Sequence, residues 1–294
     1  MNKPTSWRIL PRQRILGSTR QLTDVSLRAA LYAGVFALAA LAGNAAADPR
    51  AEGASPLAGA HPARGSRAAK DVLLVHGAFA DGSSWSGVTR RLERDGYTVR
   101  AVQLREQSLA DDAALVRHAI AGIPRPVVVV GHSYGGIVIS EATTGAANVV
   151  GLVYVAAFAL DQGESIQGVI TGYPPAPALK HLIVDDQGNA TLDPADFVQH
   201  FAADVPRDEA RALEAAQHPI SVSILGTPAG VPGWKTIPSF YQVSTNDEAI
   251  DPNLQRSFAK RMGAHTIEIA ASHVSLVSKS GAVAELIERA AGKQ

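Results

Sequence analysis

Short apolar runs alternate with amphipathic stretches along the chain from residue 71 onward. Short continuous apolar runs predict buried strands, whereas apolar positions three and four residues apart predict helices. The first half of the pattern begins with a strand and alternates strictly, over Val72–Val75, Trp85–Asp95, Thr98–Gln103, Asp111–Ala121, Val127–Val130, Gly136–Thr144 and Val149–Ala156. Such alternation is typical of a mostly parallel sheet with helices on both faces.

The alternation stops between residues 161 and 237. This segment is rich in proline and has only two short helical patterns, near Ala195–Ala203 and Arg207–Ala216, so we interpret it as a small inserted cap. Beyond it, the pattern predicts strands over Phe240–Val243 and Thr266–Ile269, and helices over Pro252–Met262 and Ala282–Ala291. We therefore expect one α/β domain over residues 70–294, with the cap inserted at about 161–237.

The first 47 residues have a different pattern. They hold six of the 27 basic residues and one of the 27 acidic residues, and an uncharged run from Ala29 to Gly43 leads to Ala45-Ala46-Ala47. A basic stretch, an apolar run and an A-x-A site predict a signal peptide, cleaved after Ala47. The alternative is a membrane anchor, but the run is shorter than the ~20 residues that a spanning helix needs. We expect export to the periplasm or the medium, with no membrane anchor after cleavage.

The composition of the remaining chain excludes several kinds of site and partner. Residues 48–69 are rich in Ala, Gly, Pro and Arg and are interpreted as a linker. The absence of cysteine excludes disulfides, a thiol nucleophile and a thiolate metal site. Residues 48–294 carry a net charge of −5 without a basic stripe, which argues against a nucleic-acid partner. No histidine pair with metal-ligand spacing lies on a predicted helix, so we expect neither a metal nor another cofactor. The oligomeric state is left open.

The segment Gly131-His132-Ser133-Tyr134-Gly135 matches the pattern G-x-S-x-G. The pentapeptide alone is a weak signal, but here it follows a run of four valines directly and opens a predicted helix. Ser133 would then occupy a strained turn, whose flanking glycines avoid clashes that a Cβ would cause. We predict Ser133 as a nucleophile beside a helix N terminus that favours negative charge. The alternative is a tight glycine turn with an incidental serine.

A nucleophilic serine needs a base and an acid that orients this base. Among nine histidines, only His273 lies in a loop between a late predicted strand and the last helix. The chain order Ser, acid, His favours Asp247, which follows the preceding predicted strand. Two alternatives stay open: Asp251, whose position before Pro252 is more typical of a helix N-cap, and Asp161.

Two backbone N–H groups are needed to bind an oxyanion. One is expected from Tyr134, directly after the nucleophile, and the other from Ala78 in the glycine-rich loop 76–82. An ordinary turn between strand and helix is the alternative for this loop. We expect Phe79 and Trp85, near the same loop, to contact a substrate that is uncharged and has an apolar portion.

These motifs resemble α/β hydrolases in order and spacing over residues 71–291. The resemblance is closest to small esterases related to plant methyl-salicylate-type esterases and hydroxynitrile lyases, and to their exported bacterial relatives; it rests on Leu74–Phe79, Gly131–Gly136, Thr245–Ile250 and Ala271–His273. It implies an α/β-hydrolase fold with a triad and oxyanion donors formed by Ser133, Asp247, His273, Ala78 and Tyr134.

One difference from the lyases bears on the reaction. The lyases of this group have Thr in the oxyanion loop and Lys after the catalytic histidine, whereas this chain has Ala78 and Val274 there. We therefore expect hydrolysis of a small carboxylic ester through an acyl-enzyme on Ser133. A cofactor-free lyase and a ligand-binding relative on the same fold are the alternatives.

Overall fold

The computed structural model describes residues 68–293 of the 294-residue chain. The predicted signal peptide, its cleavage site and all but the last two residues of the predicted linker lie outside the described residues. Within residues 68–293, no helix has both the length and the apolar character that crossing a membrane requires.

A sheet of six parallel strands forms the centre of the fold, in the order β2-β1-β3-β4-β8-β9. These strands are β1 (Asp71–Val75), β2 (Thr98–Val102), β3 (Val127–His132), β4 (Val149–Val155), β8 (Ser239–Ser244) and β9 (His265–Ile269). The four valines of β3 are completely buried, as expected for a central strand that is covered on both faces. The predicted parallel sheet is confirmed.

Helices connect the strands and pack on the sheet. Their bounds are α1 (Ser86–Arg94), α2 (Leu109–Ala121), α3 (Gly135–Ala142), α4 (Ile166–Val169), α5 (Pro194–Asp196), α6 (Arg207–Ala215), α7 (Pro252–Met262), α8 (Ser275–Ser278) and α9 (Ser280–Ala290). Helices α1 and α9 pack against each other and α2 packs against α3, so that two separate groups of helices flank the sheet. The described chain also has 3-10 turns at Gly82–Trp85, Pro177–Leu179, Val222–Gly226 and Gly233–Lys235.

Helix boundaries agree best with the prediction where local caps determine them. The predicted bounds of α7 are those observed, because the side chain of Asp251 accepts a hydrogen bond from the N–H of Asn253, and Gly263 ends the helix in the left-handed conformation. Helix α2 begins at Leu109, two residues before the predicted start, because Ser108 caps it by accepting from the N–H of Asp111.

The segment predicted as a cap lies between β4 and β8 and has more structure than its sequence pattern indicates. It contains a three-stranded antiparallel sheet, formed by β5 (Leu182–Val184), β6 (Asn189–Leu192) and β7 (Ile220–Ser221). Strands this short show no readable alternation, which is why the sheet was not predicted. The helical pattern near Ala195–Ala203 is divided between α5 and a π-helical turn over Phe197–Phe201.

Candidate active site

Ser133 lies in the sharp turn between β3 and α3. Its φ angle is 51°, in the left-handed region that residues with a Cβ rarely adopt, and such strain is concentrated at functional sites. A Cβ on Gly131 would lie 2.6 Å from the carbonyl oxygen of Gly135, and one on Gly135 would lie 2.5 Å from that of His76. Only glycine fits at these two positions, so the turn can place Ser133 at the carboxyl edge of the sheet.

Asp247 and His273 form a buried pair at the same edge. The Nδ1 atom of His273 lies 2.7 Å from Oδ2 of Asp247, and the two side chains are 1% and 0% exposed. Asp247 follows β8 and His273 follows β9, and these neighbouring strands are parallel. Because the carboxyl ends of parallel strands meet at one edge, residues 26 positions apart in the chain come into contact there.

The other two candidate acids lie in different contacts. Asp251 caps helix α7, as its position before a proline predicted. Asp161 forms an ion pair with Lys235, with 2.5 Å between Oδ1 and Nζ. Neither carboxylate contacts His273 within the described part of the chain, so the geometry favours Asp247 as the acid.

His132 joins the turn that carries Ser133 to the loop that carries His273. Its Nε2 atom donates to the backbone carbonyl oxygen of His273 at 3.0 Å, and the centres of the two rings are 4.7 Å apart. Complete burial lowers the pKa of His132 well below its usual value and keeps the ring neutral. His132 therefore has a structural contact in the turn, through its hydrogen bond to the backbone of His273.

The Nε2 atom of His273 is buried and has no hydrogen-bond partner among residues 68–293. The described structure has no hydrogen bond between this nitrogen and the hydroxyl of Ser133, which is itself 6% exposed. A base needs this nitrogen unoccupied to accept the proton of a serine, and such bonds are often long in the absence of substrate. Asp247 and His273 are thus in contact, with the acceptor nitrogen available near the nucleophilic turn.

The loop after β1 lies directly against Ser133. A Cβ on Gly77 would approach the Cβ of Ser133 to 2.6 Å, so glycine is required for this close contact. The backbone N–H groups of Ala78 and Tyr134, the two predicted oxyanion donors, have no acceptor within residues 68–293. Two unused donors beside a serine are what an oxyanion hole needs.

Comparison with known proteins agrees with this arrangement. Residues 72–286 match the alpha/beta hydrolase family. The chain belongs to this family. The resemblance and the fold that the motifs predicted are therefore confirmed.

Individual relatives are distant but cover most of the chain. The alpha/beta hydrolase nvfD of Aspergillus novofumigatus is 30% identical over 76% of this chain and 96% of its own length. A pyrethroid hydrolase of Sphingobium wenxiniae is 26% identical over 74% of this chain and 86% of its own. The solved structure of an extracellular alpha/beta-hydrolase from a Paenibacillus species superimposes with a TM-score of 0.63 at 21% identity, covering 75% and 98% of the two chains. These matches support a hydrolase.

A cluster of buried titratable residues, which the sequence did not reveal, supports the loop after β1. Glu106 is completely buried, and its two carboxyl oxygens lie 3.5 Å from Nδ1 of His76 and 3.6 Å from Nδ1 of His218. The Nε2 atom of His76 accepts from the N–H of Leu104, so Nδ1 carries the proton that is donated to the carbonyl of Gly77. Burial, together with the charge of Asp112, raises the pKa of Glu106 from 4.5 to about 9.

We expect Glu106→Gln to stabilise the protein above pH 5. The folded chain keeps a proton on Glu106 that the unfolded chain releases, so the free energy of unfolding falls as the pH rises from 4.5 to about 9. The neutral amide removes this loss, which corresponds to roughly 3 kcal/mol at pH 7. Thermal unfolding should give a higher Tm for the variant at pH 8 and little difference near pH 4.5. Glu93→Gln, at an exposed position, is the control and should leave Tm unchanged at both pH values. If Tm depended on pH in the same way in the wild type and in Glu106→Gln, the prediction would be contradicted.

Aromatic residues of the cap segment cover the site. The ring of Phe201, in the π-helical turn, lies 4.7 Å from the ring of His273 and 6.3 Å from that of Phe79. The cavity beside them measures about 20 Å³, enough for about one water molecule, and its apolar lining is formed mainly by Phe79, Phe197, Phe201, Leu213, Val274 and Val277. This cavity is too small to hold an ester substrate.

The two residues predicted to contact substrate occupy different places. Phe79 lines the apolar cavity. Trp85 is completely buried, its ring packs edge-on at 6.5 Å from that of His132, and it does not line this cavity. Trp85 lies in the core and packs beneath the turn that contains Ser133. The sequence correctly placed Trp85 near this loop, but it did not indicate that the side chain faces the core rather than the cavity.

A larger open groove, of about 660 Å³, lies between α1 and the start of α9. It is lined by Gly87, Arg90, Arg91, Glu93, Arg94 and Ser280, and none of the candidate catalytic or oxyanion residues borders it. Volume alone would favour this groove as the binding site. Chemistry favours the small cavity, because its lining includes Phe201, whose ring packs on that of His273, and Phe79 and Val274, the chain neighbours of Ala78 and His273.

Proposed function

We propose that this hydrolase cleaves small carboxylic esters through an acyl-enzyme on Ser133. His273 accepts the hydroxyl proton at Nε2 while Oγ attacks the carbonyl carbon of the ester, and Asp247 stabilises the imidazolium that forms. The N–H groups of Ala78 and Tyr134 stabilise the oxyanion of the tetrahedral intermediate. The alkoxide leaves with the proton from His273, and a water molecule then releases the acid by the same steps. The contact of 2.7 Å between Asp247 and His273, beside the strained Ser133, carries this proposal.

The surroundings of the site favour uncharged substrates with an apolar portion. The cavity beside the triad is lined mainly by aromatic and aliphatic side chains, and hydrophobic linings of this kind bind through apolar surface. Phe79 contributes to this lining, whereas Trp85 acts only through its support of the turn. We propose that the cap moves when the substrate enters, which removes water from the acyl group and strengthens the electrostatic contacts.

Lyase chemistry is disfavoured by the charges near His273. Release of cyanide needs a cation beside the leaving group, and Val274 offers none directly after the base. Lys279 is paired with Asp204 at 3.7 Å, and the other carboxyl oxygen of Asp204 accepts from the hydroxyl of Ser272 at 2.5 Å. The positive charge of Lys279 is thereby balanced by a carboxylate next to the site.

A comparison of substrates tests the reaction type. We expect measurable hydrolysis of p-nitrophenyl esters with short acyl chains and negligible cleavage of mandelonitrile, because two oxyanion donors suit a tetrahedral intermediate, Val274 carries no charge and Lys279 is paired with Asp204. Initial rates should be measured with both substrates on one preparation, over a series of increasing acyl length. Robust mandelonitrile cleavage without ester turnover would establish the lyase, and binding of esters without any turnover would establish a ligand-binding relative.

We also propose that the chain is exported and cleaved after Ala47, leaving residues 48–69 as a linker. The basic, apolar and small-residue segments before Asp48 support this proposal, and one structural relative is an extracellular enzyme. N-terminal sequencing of protein recovered from the periplasm and the medium should begin at Asp48. An intact Met1 in those fractions would contradict cleavage.

A further inference from the structure

Helix α7 carries a glutamine that reaches the acid of the proposed triad. Gln255 is completely buried, although the other buried residues of this helix, Leu254, Phe258 and Ala259, are apolar. Burying an amide without hydrogen bonds costs several kcal/mol, roughly 2–7 by transfer scales. An apolar side chain would avoid this cost, so a specific set of contacts must compensate for the amide.

Every hydrogen-bonding group of Gln255 is used. Its Nε2 atom donates to Oδ2 of Asp247 at 2.7 Å and to the carbonyl oxygen of Ile250 at 2.9 Å. Its Oε1 atom accepts from the N–H of Ser244 at 3.0 Å. Gln255 therefore connects helix α7, the end of strand β8 and the loop that carries Asp247.

The contact with Asp247 completes the set of donors around this carboxylate. Oδ1 accepts from the backbone N–H groups of Ala249 at 2.8 Å and Ile250 at 2.9 Å. Oδ2 accepts from Gln255 and from His273, both at 2.7 Å. The donors to Oδ1 belong to the same loop as Asp247 and move with it. Among these contacts, Gln255 alone ties the carboxylate to helix α7 and to the sheet.

We propose that Gln255 is a positioning residue for ester hydrolysis, an inference that rests on the proposed function. It holds Oδ2 of Asp247 in the position where this oxygen accepts the Nδ1 proton of His273. The imidazole then keeps its acceptor nitrogen, Nε2, for the proton of Ser133. Gln255 touches neither the substrate nor the reacting atoms and acts only through Asp247.

The variant Gln255→Met tests this role, because methionine has a similar size and cannot donate a hydrogen bond. We expect kcat to fall roughly 10–100-fold, by analogy with the loss of residues that orient metal ligands, while KM changes less than about twofold. The acid limb of the kcat/KM profile should move to higher pH, because Asp247 with one donor fewer binds the imidazolium more strongly. Rates on a p-nitrophenyl ester are normalised to the fraction of protein that reacts with a fluorophosphonate.

A second variant keeps the test decisive if Gln255→Met folds poorly. Gln255→Glu has the same shape but can donate to Asp247 only while it is protonated, and when ionised it repels this carboxylate. Its kcat relative to that of the wild type should therefore fall as the pH rises. A purely structural role predicts a ratio that is independent of pH, and that result would overturn the proposal.

Phe258→Leu is the matched control. The side chain of Phe258 lies on the core face of the same helix and packs against Phe158, and it does not contact Asp247. We expect it to lower Tm while leaving kcat and the acid limb unchanged. An equal loss of kcat in Phe258→Leu would show that destabilisation explains the effect and would overturn the proposal. The proposed function is tested separately by Ser133→Ala: if this variant stays active, the triad itself is refuted, whereas an inactive Ser133→Ala beside a normal Gln255→Met refutes only the role of Gln255.

Discussion

Ser133→Ala should reduce kcat for ester hydrolysis by a factor on the order of 10⁶, as loss of the nucleophile does in other serine hydrolases. Ser133 lies in the strained turn at φ 51°, at the same edge of the sheet as the Asp247–His273 pair, and alanine removes the oxygen that forms the acyl bond in the proposed reaction. A fluorophosphonate probe should label the wild type at Ser133, as read by peptide mass spectrometry, and should not label the variant.

Its control is Ser140→Ala in the same helix, α3. Ser140 is buried and bonds the carbonyl of Gly136 and the hydroxyl of Tyr154, so its loss perturbs the helix without removing the proposed nucleophile. We expect activity within a few-fold of the wild type for this control. Labelling at another residue, or undiminished turnover by Ser133→Ala, would refute the role of Ser133.

Asp247→Asn should lower kcat by roughly 10³–10⁴-fold, the effect of holding a catalytic histidine in the wrong tautomer. An amide nitrogen at the Oδ2 position would present a donor to both Gln255 and His273, each of which now donates to this oxygen at 2.7 Å. The opposite orientation would place the amide nitrogen against two backbone N–H donors, those of Ala249 and Ile250. Either orientation breaks two hydrogen bonds, so we also expect a lower Tm.

Asp161→Asn is the matched control for this substitution. Its carboxylate pairs with Lys235 at a partly exposed position, and such pairs contribute about 0–1 kcal/mol. We expect activity within a few-fold of the wild type. Steady-state kinetics on the same ester should show a larger loss of kcat in Asp247→Asn than in Asp161→Asn. A larger loss of kcat in Asp161→Asn would instead identify Asp161 as the acid.

Features that depend on near neighbours in the chain could be predicted from the sequence. The turn at Ser133 follows from two glycines at positions where a Cβ cannot fit, next to a run of valines that forms a central strand. The bounds of α7 follow from an aspartate cap and a glycine end. The order of motifs predicted the family and favoured His273 and Asp247, with Asp251 and Asp161 left open as alternative acids.

The distant residues that surround this site could not be predicted, because their contacts depend on how the elements pack in three dimensions. In the sequence, Gln255 is an ordinary polar position of an amphipathic helix, and Phe201 belongs to a short helical pattern. In the structure, Gln255 donates a hydrogen bond to Asp247, and Phe201 packs on His273. The raised pKa of Glu106 likewise depends on complete burial beside Asp112. Burial, desolvation and contact between segments arise from how elements pack, and periodicity along the chain specifies an element's apolar face but not the partner it meets.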